Sequence, residues 1–489
     1  MFLGIDIGTS GVKAILTDEQ SAIVDQQTVA LSISRPHPLW SEQDPHEWWA
    51  ATQSAIDQIK ARHPAQIAAV KGIGLAGQMH GAVILDKDHR VIRPAILWND
   101  GRCEEECRLI EDKVPASRKI TGNIAMPGFT APKLLWIARH EPENFAKIDK
   151  VLLPKDYIRF CFTNAFFSDM SDAAGTLWLD VAHRRWSDDM LAACGLTQAQ
   201  MPVLCEGSAV AGTLKPELAE RWGMKPGVVF AGGAGDNAAG AVGIGALGEG
   251  QAFISLGTSG VYFAGTNQFR ACPEKTVHAF CHAVPGTWHQ MGVILSAASC
   301  IKSATRFLGA DSEKDLVALV TEINYANPTI FLPYLSGERT PHNNPAATGA
   351  FFGITHETTH ADLVQAILEG VAFAFADCQD ALAAAGTHAD DIMLIGGGAR
   401  NEMWGEILAS ALDRRILYVA DGDQGPAFGA AKLARMAATN EPVNQVSTRP
   451  KGQKAVEPNA KLKSYLLPKL QKYRRLYQQL EPLYFDSAQ

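Results

Sequence analysis

Phe2-Leu3-Gly4-Ile5-Asp6-Ile7-Gly8-Thr9-Ser10-Gly11-Val12-Lys13-Ala14-Ile15-Leu16 is an apolar run that enters a glycine turn and leaves it as a second apolar run. The pattern predicts a β-hairpin. Branched and aromatic side chains favour extended backbone, and Gly8 and Gly11 supply freedom and side-chain-free space at the tip. Such a tip lets a ligand approach backbone N–H groups, which suits an anion. Ile254-Ser255-Leu256-Gly257-Thr258-Ser259-Gly260-Val261 repeats Ile5 to Val12 in register, with Gly-Thr-Ser-Gly-Val identical in both copies. The second copy falls near the middle of the chain. The economical reading is therefore two related lobes, each offering one polyanion-binding hairpin to a shared cleft. Asp6 becomes Ser255 in the second copy. Only the first hairpin brings a carboxylate, and it suits a hard cation such as Mg2+ beside bound phosphates.

The chain has 489 residues, room for two large lobes, and its 47% hydrophobic and 20% charged content is that of an ordinary globular protein. A net charge of -8, from 44 basic and 52 acidic residues, gives no electrostatic reason to expect nucleic acid or an anionic membrane as partner. The N-terminus reads as native strand, without the basic and apolar regions of a secretory leader. The uncharged run between Glu249 and Arg270 is broken by polar residues and glycines, so no membrane span is expected and the expected location is the cytoplasm. Nine scattered cysteines fit a reducing compartment. Cys103 with Cys107, and His278 with Cys281 and His282, do not complete a four-ligand pattern, so no metal site is expected there.

In the first half, Asp44 and Pro45 read as the N-cap and first position of a helix. A strand over Ala68 to Leu75 delivers Gln78-Met79-His80, and another polar cluster follows at Trp98-Asn99-Asp100. Ligands usually bind at strand ends of an α/β sheet, and a polyol needs hydrogen-bonding groups beside an apolar wall. Gln78, Met79, His80, Asn99 and Asp100 are that mixture. After a strand ending at Ala231, the run Gly232-Gly233-Ala234-Gly235-Asp236-Asn237 presents a carboxylate framed by small residues, approachable by a substrate. Phosphoryl transfer needs a base aimed at the attacking hydroxyl, and Asp236 is the candidate, with Asn237 beside it to hold the substrate.

In the second half, Met393 to Asn401 reads as a strand entering a glycine turn, where Gly397 and Gly398 leave space for a flat base or ribose and Asn401 follows. Glu338 and Arg339 are expected to form a structural ion pair. Asp421 to Ala431 opens a small-residue helix suited to close packing between lobes, and Glu441 to Asn459 reads as a linker. Leu466, Leu470, Tyr473, Tyr477 and Leu480 mark an amphipathic terminal helix for core packing, with a homodimer contact as its alternative use.

The doubled hairpin resembles the two phosphate hairpins of the sugar kinase, actin and Hsp70 ATPase superfamily. Gly128 to His140 and Gly349 to Glu369 match the two signatures of the FGGY carbohydrate kinases. Gly-Gln-Met-His-Gly at 77–81 and Leu-Trp-Asn-Asp-Gly-Arg at 97–102 are similar to the sugar-contacting segments of the xylulose-phosphorylating members. The resemblance implies a two-lobed actin-like α/β fold, ribonuclease H-like and duplicated, with a cleft between lobes. It divides the chain into a sugar-binding lobe over 1–245, a nucleotide-binding lobe over 246–440, and a linker with terminal helix over 441–489. It implies ATP and Mg2+, with D-xylulose phosphorylated at its 5-hydroxyl. Asp236 is then the base and Asp6 the metal-positioning carboxylate. Met79 and His80 contact the sugar, and the loop 168–176 faces it. Thr9, Ser10, Lys13, Gly257, Thr258 and Ser259 serve the phosphates, and Gly397, Gly398 and Asn401 the adenosine. The alternatives are a kinase of another ketose or polyol, such as ribulose or glycerol, and a nucleotide-gated binding protein that uses the same clamp without a sugar acceptor.

Overall fold

The computed structural model describes residues 1–419, 424–450 and 454–486. Phe2–Ile7 pairs antiparallel with Gly11–Thr17, which pairs antiparallel with Ile23–Ala30, so the opening hairpin forms where its residue pattern places it. On its other side Phe2–Ile7 runs parallel to Gly72–Gly77, and that strand runs parallel to Val229–Ala231. Val210–Thr213 closes the edge antiparallel. The two central strands are buried on both faces, which explains their nearly continuous apolar run.

The second sheet repeats this plan. Ala252–Leu256 and Gly260–Thr266 form its hairpin, and Trp288–Ile294 extends it antiparallel. Asp391–Ile395 and Arg415–Tyr418 follow in parallel, and Lys454–Val456 closes the edge antiparallel. The strand orders match position for position, and His278–Cys281 adds one further strand to the second sheet. The stretch expected as a linker thus contributes an edge strand, because short polar sequences can complete a ladder whose neighbour supplies the hydrogen bonds.

The helix Gly425–Thr439 comes late in the chain yet packs on the sheet of the first half and on the helix Asp236–Ile244. The small residues make this contact. A Cβ on Gly74 would lie 1.9 Å from the carbonyl oxygen of Ala430, and one on its strand neighbour Gly4 would lie 1.9 Å from that of Ala427. Residues 420–423, the start of the small-residue helix expected from sequence, lie outside the described residues.

The terminal helix Ala460–Asp486 buries Leu466, Leu470, Tyr473 and Tyr477 in the core of the second lobe, where the hydroxyls of Tyr473 and Tyr334 meet at 2.7 Å. A separate apolar cluster joins the halves. Met79, Phe129 and Trp136 from the first share it with Phe253, Phe263, Phe280 and Met291 from the second.

Candidate active site

Strand register brings the two candidate carboxylates to one end of the first sheet. Ala76 in the central strand pairs with Asp6 on one side and with Ala234 on the other, and Gly77 likewise pairs with Ile7 and Gly235. Asp6 and the residue after Gly235 therefore flank one strand at its carboxyl end, about 10 Å apart by two inter-strand spacings. Burial pushes the Asp6 carboxyl up to about 7, with the charge of Asp236 adding to the rise and Lys13, its cross-strand partner, opposing it. Asp6 Oδ1 is buried without a hydrogen-bond partner. An orphaned carboxylate oxygen of this kind is an acceptor that a hard cation satisfies, so the residues present fit Mg2+.

Asp236 opens the helix Asp236–Ile244. Its Oδ1 accepts from the backbone N–H of Asn237 at 2.7 Å and from the Asn237 amide at 2.9 Å. Both bonds converge on one oxygen, Oδ1. Burial raises this carboxyl to about 6, and the Asn237 bonds oppose the rise. A carboxylate tuned towards neutrality is the kind that can take a hydroxyl proton.

Met79 and His80 sit just past Gly77, and His80 is held with φ at 70°. Its carbonyl accepts from Lys133 Nζ at 2.8 Å and from Thr130 Oγ1 at 3.1 Å, which secures a backbone conformation uncommon for a side-chain-bearing residue. The His80 Nδ1 lies 2.5 Å from the carbonyl of Gly175, which can only accept, so Nδ1 carries the proton and Nε2 is an acceptor. Burial pushes the imidazole down to about 3, so it is neutral. A Cβ on Gly175 would lie 2.7 Å from both His80 Cε1 and Met79 Cε, so this loop position has to lack a side chain. Phe129 meets the His80 ring edge-on at 5.0 Å and supplies apolar wall.

Of the other expected sugar contacts, Gln78 and Asp100 are bonded within the protein. Both ends of the Gln78 amide are engaged within the protein: Oε1 accepts from Thr9 Oγ1 at 2.9 Å, and Nε2 donates to Gln43 Oε1 at 3.0 Å. The Asp100 carboxylate is buried and accepts from the Arg102 guanidinium at 2.7 and 2.9 Å and from the backbone N–H of Ser41 at 2.6 Å. It anchors a loop, because an unpaired buried carboxylate would be far more costly than this pairing. Asn99 is exposed beside it. Glu338 does not form the expected side-chain ion pair. It accepts the backbone N–H groups of Leu295 and Arg339, while the Arg339 guanidinium lies 3.4 Å from His278 Nε2.

At the first hairpin, Gly8 N–H closes the turn onto Gly11, with Ser10 exposed at the tip. Lys13 Nζ donates to the carbonyl of Gln424 at 3.2 Å and so reaches across to the later half of the chain. At the second hairpin, the carbonyls of Gly257 and Thr258 accept from the start of the helix Ala298–Leu308, and Ser259 lies next in the turn. A pocket of about 860 Å³ opens there, lined by Gly257, Thr258, Gly397, Gly398, Asn401 and Trp404 among others. The Asn401 side chain accepts from the N–H of Trp404 and caps the helix Glu402–Leu412, a role its place after the glycine turn did not suggest.

Sequence reading missed the hold of Thr130 and Lys133 on the His80 carbonyl. A lone lysine inside the apolar run Thr130 to Ile137 was the available signal.

The chain is similar to known proteins along its whole length. Residues 1–243 match the N-terminal domain of the FGGY family of carbohydrate kinases, and residues 252–438 match its C-terminal domain. The xylulose kinase of Escherichia coli (strain K12) is 55% identical over 486 residues, covering 99% of this chain and 100% of that one. Among solved structures, the crystal structure of a "xyloylose kinase" from Brucella ovis superposes with a TM-score of 0.96 at 50% identity, over 99% of each chain. That of xylulose kinase from Rhodospirillum rubrum superposes with a TM-score of 0.92 at 27% identity, also over 99% of each. The chain belongs to the FGGY family of carbohydrate kinases.

Proposed function

We propose that this protein transfers the γ-phosphoryl group of ATP to the 5-hydroxyl of D-xylulose. The observation that carries the reading is the meeting of Asp6 and Asp236 at one end of the first sheet beside the Met79-His80 turn. The substrate follows from a full-length relative, 55% identical, that is a xylulose kinase.

Asp236 Oδ2 takes the proton of the 5-hydroxyl as that oxygen attacks the γ-phosphorus in line. The bond from γ-phosphorus to the bridging oxygen breaks, and ADP leaves with the electron pair. Asn237 fixes the orientation of Asp236 and holds the sugar. His80, neutral and with Nε2 as acceptor, receives a sugar hydroxyl, while Met79 and Phe129 line its carbons. Asp6 would hold Mg2+, which when bound offsets the phosphate charge. Thr9, Ser10 and Lys13 on one hairpin and Gly257, Thr258 and Ser259 on the other support the phosphates. The glycine turn at Gly397 and Gly398, with Asn401, lines the place of the adenosine.

ATP supply and nine cysteines without a disulfide are consistent with the cytoplasm, and among the described residues no helix is long and apolar enough to cross a membrane. A homodimer contact made through the terminal helix would use its exposed residues, such as Leu467, Leu483 and Phe485, since its apolar stripe is already buried.

The test is ADP release from Mg-ATP with D-xylulose, D-ribulose, L-ribulose, glycerol, D-gluconate or no sugar. D-xylulose is expected to lead clearly. A lead for another polyol would keep the mechanism and replace the substrate, and release indifferent to every sugar would overturn the kinase reading. Asp236→Ala is expected to bind ATP and lose turnover by at least ~10² to 10⁴.

A further inference from the structure

The segment carrying Asp236 is held from behind by a buried charged cluster that the phosphoryl-transfer scheme does not use. Lys155 Nζ lies 2.6 Å from Asp156, 2.7 Å from Asp169 and 3.2 Å from Asp172, and all four side chains are excluded from solvent. Arg159 joins through Asp156 at 2.9 Å. Such a group is costly to desolvate and adds little net stability over apolar packing, so its use lies in holding a geometry.

Two of its members reach the catalytic strand. The Arg159 guanidinium donates to the carbonyl of Gly232. On the other side, Asp169 Oδ2 accepts the hydroxyl of Ser171 at 2.5 Å, and Ser171 Oγ accepts the backbone N–H of Gly235 at 3.1 Å. Gly235 immediately precedes Asp236. The hydroxyl proton of Ser171 is committed to Asp169, so the lone pair of Ser171 is directed to Gly235, and Lys155 fixes Asp169 in turn. Gly232 and Gly235 bracket a segment whose only side chain is the buried methyl of Ala234, and it relies on neighbouring groups to hold a carboxylate in line with an acceptor.

We propose that Ser171, oriented by the Lys155–Asp169 pair, is a positioning residue for the base, fixing the Gly235–Asp236 backbone through its hydroxyl. This rests on Asp236 being the base. Ser171 lies in the short helix Met170–Ala174, and its C-cap Gly175 orients His80 through its carbonyl. One short element thus bears on both the proton acceptor and a sugar contact.

The test is a double-mutant cycle on the full-length enzyme with its best sugar and Mg-ATP. Ser171→Ala is expected to lower kcat by ~10- to 100-fold, the size of a small misplacement of a reacting group, with KM for ATP unchanged. Ser171→Thr, which keeps the hydroxyl, is expected to restore most of it. In an Asp236→Asn background, Ser171→Ala is expected to cost nothing further, because the group it positions is gone. An equal loss in both backgrounds, or a full kcat in Ser171→Ala, would overturn the proposal. Near-normal turnover of Asp236→Asn alone would overturn the base assignment and this proposal with it, whereas an inactive Asp236→Asn beside a fully active Ser171→Ala would overturn only this one. Should Ser171→Ala not fold, Ser171→Cys, similar in size but a weak acceptor, takes its place in the cycle with the same outcomes.

Discussion

The indole N–H of Trp98 donates to the hydroxyl of Thr9 at 2.9 Å, joining the Trp98-Asn99-Asp100 segment to the tip of the first hairpin. Thr9 passes the bond on to Gln78, Gln78 to Gln43, and Gln43 Nε2 returns to the carbonyl of Thr9 at 2.8 Å. The hairpin tip is therefore held in place before any nucleotide arrives. Thr9→Val keeps the shape and removes the hydroxyl, leaving the buried Gln78 oxygen without its donor. The expected loss is about 1–3 kcal/mol of stability, seen as a lower Tm, together with a raised KM for ATP. An unchanged Tm would mean that the network rearranges freely.

Both candidate carboxylates titrate near neutrality, and this sets the acid limb of the activity. Asp236, raised to about 6, must be ionised to accept a proton, and Asp6, raised to about 7, must be ionised to hold a cation. Each gains its proton as pH falls through those values. kcat/KM is therefore expected to fall below neutrality, whereas two ordinary carboxylates would sustain it to about pH 4. A pH–rate profile measured over a series of Mg2+ concentrations checks this, because a bound cation competes with the proton on Asp6. Activity that stays level to about pH 5 would show that the base has an ordinary carboxylate's acidity.

The hairpins were legible because their information is local: apolar strands, a glycine turn, and the same five residues twice. Asp236 stands out as a candidate for the same reason, being framed by small residues in one short run. What escaped depends on segments far apart in sequence. Nothing near Ser171 indicates that its hydroxyl will meet Gly235, and nothing near Lys133 shows that it will hold the carbonyl of His80. The internal pairing of Asp100 had a local signal that went unread. Arg102, two residues on, is its partner, and an acidic residue beside an arginine can pair with it as readily as with a ligand. The edge strand Lys454–Val456 escaped because its ladder is supplied entirely by Arg415–Tyr418.

Asp6 should also leave a mark on stability. Its folded-state carboxyl lies at about 7, above the ordinary value of 3.8, so the folded protein holds this proton more tightly than the unfolded chain does. The stability tied to that proton is fully present below the ordinary value and is lost as pH rises towards the folded value. Asp6→Asn carries no such charge. In metal-free buffer its Tm advantage over the natural protein is expected to grow from about pH 4 to about pH 7 and then level off. Adding Mg2+ near pH 8 should raise the Tm of the natural protein and leave that of the variant unchanged. A Tm difference independent of pH would place the titration on another group.

The helix Gly425–Thr439 gives a purely steric prediction. Gly74 lies in the central strand of the first sheet, and a Cβ there would come 1.9 Å from the carbonyl oxygen of Ala430 and 2.8 Å from its carbon. These are backbone atoms inside a helix, so no side chain can rotate away, and relief requires the helix to lift off the sheet. That helix also faces Asp236–Ile244, where a Cβ on Gly429 would lie 1.7 Å from the carbonyl of Ala239. Lifting it therefore disturbs the element that Asp236 begins. Gly74→Ala is expected to cost more than the ~1–3 kcal/mol of ordinary overpacking and to lower turnover along with Tm. Gly223→Ala serves as the control: its added Cβ meets nothing within 4 Å, and its cost is confined to the left-handed backbone at φ 69°. Equal stability losses in the two variants would mean that the helix does not sit this close to the sheet in solution.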